Sequence, residues 1–329
     1  MKIYAVLSLI IFLILLFFPF ISLMSESGTV QSVNDTTEAS DVSKTEEIQD
    51  TADEISVLRV SSGKIENVDM TEYIIGAVAS EMPATFHEEA LKAQAVACYT
   101  YTKWILKNAD NSVELSHISD SSTTHQGYLN ADELKIKWGE KYEIYYNKLK
   151  SIVEGLKGQY LTYDGEPILA VFHAISSGVT NSSEDVWGNK LPYLVSVSAP
   201  GDKLCADSDS QNSFSTEEFV TIAKSIENVT VNTKENMISD ITIADSGYVS
   251  EVRIGEVKLT GREVRSLFSL SSPNFEVKYE NGKYIFNVKG KGHGVGMSQY
   301  SADFMARQGS DYKEILSHFY PDTDLETEQ

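Results

Sequence analysis

One stretch carries residues of the types and spacing that acid–base chemistry needs: Glu81-Met82-Pro83-Ala84-Thr85-Phe86-His87-Glu88-Glu89-Ala90-Leu91-Lys92-Ala93-Gln94-Ala95-Val96-Ala97-Cys98. Glu81 falls at the joint between two predicted helices. Upstream, Asp69 before Met70-Thr71-Glu72 reads as a helix start, with Glu72 placed to reach back to the cap. Ile74, Ala77, Val78 and Glu81 then recur at the spacing of one helix face, which sets a carboxylate at the end of an apolar stripe. Pro83 disfavours helical geometry at Met82, so the chain turns there, and Thr85 with Glu88 offers a second capping box. Ala90, Ala93, Ala95 and Ala97 give the next helix high propensity and a small-residue surface that lets another element come close. A carboxylate held in such a notch loses water and its pKa rises, the state a general acid needs near neutral pH. A solvated glutamate at a helix end fits the same pattern.

The elements around this joint alternate in type. Ser56 to Val60 reads as a strand and Ala131 to Leu156 as a helix. Tyr160 to Phe172 reads as a hairpin turned at Asp164-Gly165, and it runs into the polar small-residue loop His173-Ala174-Ile175-Ser176-Ser177-Gly178. Strands at Tyr248–Gly255 and Lys283–Val288 flank a short helix at Gly261–Phe268. In Gly290-Lys291-Gly292-His293-Gly294-Val295-Gly296-Met297-Ser298-Gln299 the glycines miss both the dinucleotide and the P-loop spacing, which excludes those phosphate sites. They suit a strand-to-helix turn in which backbone approaches closely around His293, before a helix from Ser298 to Arg307. The fold class is α+β: mixed helices and antiparallel strands forming one groove-bearing globular region.

A net charge of −21, from 48 acidic and 27 basic residues, argues against nucleic acid as a partner. Lys2 is followed by an uncharged run from Ile3 to Met24, long enough to cross a bilayer and without a small-x-small cleavage site at its exit. Residues 1–24 are therefore expected to be a short cytoplasmic N-terminus and an uncleaved transmembrane helix, with the rest outside the membrane. Residues 25–54 read as an acidic, disordered linker and 55–329 as the extracytoplasmic catalytic domain. Cys98 and Cys205 suit either one disulfide or two separate thiols, and neither CxxC nor HExxH occurs.

Taken together, Glu81-Met82-Pro83 with Leu91-Lys92-Ala93-Gln94-Ala95-Val96-Ala97, Phe172-His173 with Ser176-Ser177-Gly178, Asp185-Val186-Trp187-Gly188, Pro192-Tyr193-Leu194 and Gly292 to Gln299 resemble the stage II sporulation protein D family. The blocks fall in order across residues 55–320. The resemblance implies a lytic transglycosylase that cleaves the MurNAc-β-1,4-GlcNAc bond of peptidoglycan, with Glu81 as its single acid/base. Sugar binding needs aromatic faces and hydrogen-bonding groups, for which Tyr163, Trp187, Tyr193 and Tyr300 are stacking candidates and His173, Ser176, Ser177, His293, Ser298 and Gln299 are donors and acceptors, and the resemblance centres the groove on His173, Ser177 and His293. Expected partners are peptide-free glycan strands, an amidase and a membrane anchor protein of the engulfment complex, at the mother-cell membrane facing the intermembrane space. No cofactor is expected. Some members hold zinc through cysteines and histidines, but here Ser116 to Tyr128 keeps only His117 and His125, a weak pair, so no metal is expected. Two other readings compete. One is a non-catalytic glycan binder or amidase activator. The other is a hydrolytic muramidase drawing a second carboxylate from Glu88, Glu89 or Asp185.

Overall fold

The computed structural model describes residues 54–108, 118–231 and 236–328. The predicted transmembrane stretch, the linker up to Asp53 and His117 lie outside the described residues. Among the described residues no helix is long and apolar enough to cross a membrane.

Glu54–Arg59 (β1) and Lys64–Asp69 (β2) form an antiparallel hairpin, and Asp69 at its end starts Met70–Glu81 (α1) by accepting from Thr71 N at 2.9 Å and Glu72 N at 3.2 Å. Glu72 does not reach back to the cap. Its carboxylate instead accepts from the Tyr146 hydroxyl at 2.7 and 2.9 Å. α1 stops where Pro83 requires it, with Met82 extended at φ −119° and ψ 145°.

Glu88–Asn108 (α2) begins with a different cap from the predicted one. His87 Nδ1 accepts from Glu89 N at 3.3 Å, His87 N donates to Asp303 at 2.6 Å, and Glu88 pairs with Lys92 at 2.8 Å. The alanine-rich face does admit close neighbours. α1, Tyr142–Gly155 (α4), Gln299–Arg307 (α8), Tyr312–Phe319 (α9) and the strand Gln159–Tyr163 (β4) all pack against α2. Ile75, Leu91, Val96, Leu149, Leu161 and Phe319 are among the buried residues of this first core.

The helix predicted from Ala131 to Leu156 is two helices. Ala131–Trp138 (α3) ends at Gly139, whose φ of 52° only glycine adopts readily, and a single 3₁₀ turn leads into α4. Ile118–Ser119 (β3) lies parallel to β1. β4 pairs with Glu166–Pro167 (β5) across a turn in which Asp164 and Gly165 both have positive φ, and on its other edge with Asp324–Thr327 (β14). Phe172–His173 (β6) runs parallel to Met297–Ser298 (β13), with Phe172 opposite Met297 and His173 opposite Ser298. The hairpin and glycine-turn segments are thereby joined.

After the short helix Ser183–Trp187 (α5) the chain builds a second lobe. Asp209–Ser215 (β7), Phe275–Glu280 (β11) and Lys283–Lys289 (β12) make one antiparallel sheet, in the order β11-β12-β7. Ile238–Ile243 (β8), Val249–Ile254 (β9) and Val257–Leu259 (β10) make another, with β9 central. Thr216–Ala223 (α6) and Gly261–Leu267 (α7) cover a separate core that includes Phe219, Ile254, Phe268, Tyr284 and Phe286. The α+β expectation holds: among the described residues most strand pairings are antiparallel, while β1–β3 and β6–β13 are parallel.

Candidate active site

Glu81 is the last residue of α1, the helix end whose exposed carbonyl dipoles disfavour negative charge. Gly127 N donates to its Oε1 at 2.6 Å. The loop approaches this closely because Gly127 has no side chain: a Cβ there would overlap Ser80 Oγ and stand 2.9 Å from Glu81 Oε1. Gly76, on α1, admits the same loop, since a Cβ would overlap Leu129 O and lie 2.6 Å from the Tyr128 ring. Burial pushes the Glu81 carboxyl above its ordinary pKa, and the Gly127 hydrogen bond and the Lys137 charge offset part of that shift. Lys137 reaches in from α3, donating to Ala79 O at 2.7 Å. Its own pKa is lowered by burial. Burial thus favours the protonated carboxyl, and once ionised it has a donor and a cation to stabilise it.

Behind Glu81 runs a buried polar line. The Cys98 thiol, raised in pKa chiefly by burial and also by the Glu81 charge, accepts from Gln94 Nε2 at 3.3 Å, and Gln299 Nε2 donates to Gln94 Oε1 at 3.3 Å. Next to Gln299, Ser298 Oγ donates to Asp202 at 2.7 Å, joined there by Ser301 Oγ at 2.9 Å and by Ser176 N at 2.6 Å. Burial raises the Asp202 pKa and these donors oppose the rise. Ser176, Ser298 and Gln299, all predicted groove residues, are thus buried and tied into the framework.

The structure brings His173 and His293 together, with ring centroids 5.9 Å apart, and sets Trp187 5.9 Å from His293. His173 Nδ1 faces Val295 O at 3.1 Å and so must carry the proton. Its Nε2 is then a bare acceptor, buried and without a partner among the described residues. His293 Nδ1 accepts from Val295 N at 3.1 Å. Burial drives both histidines down, His173 to about 4 and His293 to about 3, so both are neutral at physiological pH. The glycines around His293 are required by their backbone: Gly292, Gly294 and Gly296 have φ of 115°, 83° and 71°, and a Cβ on Gly292 would stand 2.7 Å from that of His173.

Of the other predicted site residues, Ser177 Oγ accepts from Asn274 Nδ2 of the second lobe at 3.0 Å. Tyr193 is buried, 5.6 Å from Tyr163 between centroids, and its hydroxyl accepts from Leu169 N at 3.3 Å. Tyr300 meets Phe86 edge-on at 5.3 Å. The alternative carboxylates are engaged: Glu88 with Lys92, Glu89 with Tyr312 N at 2.9 Å, and Asp185 with Ser182 Oγ at 2.8 Å. His125 Nδ1 accepts from Ser119 N at 3.1 Å, and no group of three His, Cys, Asp or Glu residues is placed to hold a metal among the described residues. Cys98 and Cys205 are both free thiols. Sequence reasoning missed Gly127, Lys137, Gln94 and Asp202. Only Gln94 left a signal, as the lone amide in an apolar helix face.

Residues 59–163 match a family model described as Stage II sporulation protein. That segment carries Glu81, Gly127 and Lys137. Over 278 residues the chain is 36% identical to Stage II sporulation protein D of Bacillus amyloliquefaciens, covering 82% of this chain and 78% of that one. The protein of the same name from Bacillus subtilis (strain 168) is 35% identical over 274 residues, with coverage of 82% and 78%. The amidase enhancer of Bacillus subtilis (strain 168) is 26% identical over 300 residues, 76% of this chain and 40% of that one. Fold, site and likeness define a sporulation protein of mixed α+β architecture. The chain belongs to the stage II sporulation protein D family.

Proposed function

We propose that this protein is a membrane-anchored lytic transglycosylase that cleaves the MurNAc-β-1,4-GlcNAc bond of peptide-free glycan strands during engulfment, with Glu81 as acid and then base. The observation that carries this is the environment of Glu81: a carboxyl whose pKa is raised by burial at a helix end, held by Gly127 N and faced by Lys137. The Glu81 carboxyl gives its proton to the bridging oxygen, and the bond from that oxygen to the muramoyl C1 breaks. The muramoyl 6-hydroxyl attacks C1, and its proton returns to the Glu81 carboxylate. A 1,6-anhydro ring and a free GlcNAc 4-hydroxyl result, and no water is consumed. One carboxylate can serve both steps, which agrees with the engagement of Glu88, Glu89 and Asp185 elsewhere.

His173, His293 and Trp187 would frame the sugar, while Ser176, Ser298 and Gln299 fix the turns that present them. Residues 1–24 would anchor the domain on the outer face of the mother-cell membrane. The likeness to an amidase enhancer supports a partner amidase that strips the peptides first, and it also favours a second reading, in which the protein activates that amidase without cutting glycan. Mass spectrometry of products from peptide-free strands tests both. Anhydromuramoyl ends from wild type, reduced about 10²–10⁴-fold in Glu81→Gln, are the expected result. Reducing muramic acid ends would replace transglycosylation with hydrolysis. Uncut strands, together with amidase stimulation that survives Glu81→Gln, would establish the second reading.

A further inference from the structure

The Gly127 amide that meets Glu81 belongs to a stretch, 126–130, that is neither helix nor strand. Its place against α1 therefore depends on what fastens the residues beside it. Gln126 enters the first core: it is 3% exposed, and its Nε2 donates to the Tyr73 hydroxyl at 2.9 Å, to Thr102 Oγ1 at 3.0 Å and to Cys98 O at 3.4 Å. Tyr73 stands on α1, while Thr102 and Cys98 stand on α2, so one amide bolts the loop to both helices that flank Pro83. Thr102 Oγ1 gives its own proton to Cys98 O at 2.8 Å, which leaves its lone pairs for Gln126. On the other side of Gly127, Tyr128 stacks on Tyr73 at 5.2 Å between centroids, and Leu129 N donates to Gly76 O at 3.4 Å. Gly127 is held from both sides.

For stability alone the Gln126 side chain is a poor fit. Its Oε1 is buried without a partner among the described residues. An unmet buried carbonyl costs free energy that an apolar side chain of the same length would not. Departures of this kind fall where placement matters more than stability. Tyr73 and Thr102 are fully buried, so neither they nor Gln126 can touch a strand. Any part they take in the reaction passes through the loop.

We infer that Gln126 is a positioning residue: through Tyr73 and Thr102 it fixes the loop so that Gly127 N stays on the Glu81 carboxylate. This rests on the reading of Glu81 as acid and base, and it names what keeps that group in place. The Gly127 bond favours the ionised carboxylate, so the peg governs both the orientation of Glu81 and the pH at which it loses its proton.

The test uses the full chain in detergent with three substitutions. Gln126→Met keeps the length and removes the donor, Tyr73→Phe keeps the ring stack and removes an acceptor, and Phe219→Leu lowers stability from the other core. Lys137 of α3 and the Cys98 thiol of α2, which act electrostatically on Glu81, are common to all of them. Circular dichroism establishes folding. Two readouts are followed across pH: kcat and KM for anhydromuramoyl formation, and the carbon-13 shift of the Glu81 carboxyl, assigned by its loss in Glu81→Gln. In Gln126→Met kcat should fall about 10–100-fold with KM near that of wild type. The alkaline limb and the carboxyl titration should both move to higher pH, because a bond to the ionised form is lost. Tyr73→Phe should move them the same way with a loss of about two- to tenfold, and it carries the test where Gln126→Met does not fold. Phe219→Leu should leave both in place. A limb and a titration that stay put in the folded peg variants, or that move as far in Phe219→Leu, overturn the positioning role whatever happens to kcat. Absence of cleavage by every chain, wild type included, with a titration that still moves in Gln126→Met, sinks the transglycosylase reading alone.

Discussion

The environment of Glu81 is set by two groups distant in sequence. The residue type and its place at a helix end are legible in the sequence, because the apolar stripe of α1 and the stop at Pro83 are local signals. Its partners are not. Gly127 is 46 positions away in a loop without periodicity, and Lys137 on a predicted helix looks like any solvated lysine. Lys137 gives a prediction at this scale. Its charge favours the Glu81 carboxylate and so opposes the upward shift caused by burial. Removing it in Lys137→Met should raise the Glu81 pKa further. For a group that must begin protonated, the alkaline limb of the pH–rate profile then moves to higher pH, while Lys137→Arg keeps it near the wild-type position. Anhydromuramoyl formation followed across pH measures this, and an unmoved limb in Lys137→Met would separate the lysine from the titration of Glu81.

Among elements, contact between α1 and the loop Gln126–Leu129 decides whether Glu81 keeps its donor. Gly76 and Gly127 are the two points where that contact has no room for a side chain. Gly76→Ala should push the loop outward, costing about 1–3 kcal/mol by overpacking and lengthening the Gly127–Glu81 hydrogen bond. Gly155, at the end of α4 with open space around it, is the matched control, and Gly155→Ala should stabilise by up to about 1 kcal/mol through helix propensity. Urea unfolding of both variants checks the pair, and equal effects would mean that the loop yields freely. The elements themselves were largely legible: α1, the hairpin at Asp164-Gly165 and the glycine turn leading to α8 stand where their caps and turn residues put them. The break at Gly139 was not read, because the apolar spacing of Ile136, Tyr142 and Leu149 continues across it. Nor was the β6–β13 pairing, since two-residue strands joined over more than a hundred positions leave no local pattern.

For the whole molecule the question is how two lobes with separate cores hold one site, and here sequence gave no warning, because composition does not shift between them. The junction is polar. Asn274 reaches Ser177, Ser246 Oγ donates to Asn181 Oδ1 at 2.8 Å, and the buried His173 and half-buried His293 lie with their rings 5.9 Å apart. Both histidines have folded pKa values, about 4 and about 3, below the unfolded value near 6.5. Between those limits the unfolded chain binds more protons than the folded one, so stability is complete above about pH 6.5 and is lost as pH falls, at up to about 1.4 kcal/mol per pH unit for each histidine. Glu81 and Asp202 act in the opposite sense, since carboxyls with raised folded pKa values hold protons in the folded state first. The comparison of a histidine variant with wild type isolates the histidine contribution, because both carboxyls are common to the two proteins. His173→Gln keeps an amide in place of the imidazole and removes one of the two titrations. Its melting temperature should therefore fall less steeply than that of wild type between pH 6.5 and about 4.5, whatever its value at pH 7. Parallel curves would mean that the junction opens to water before His173 takes its proton, and that the lobes separate ahead of the loss of either core.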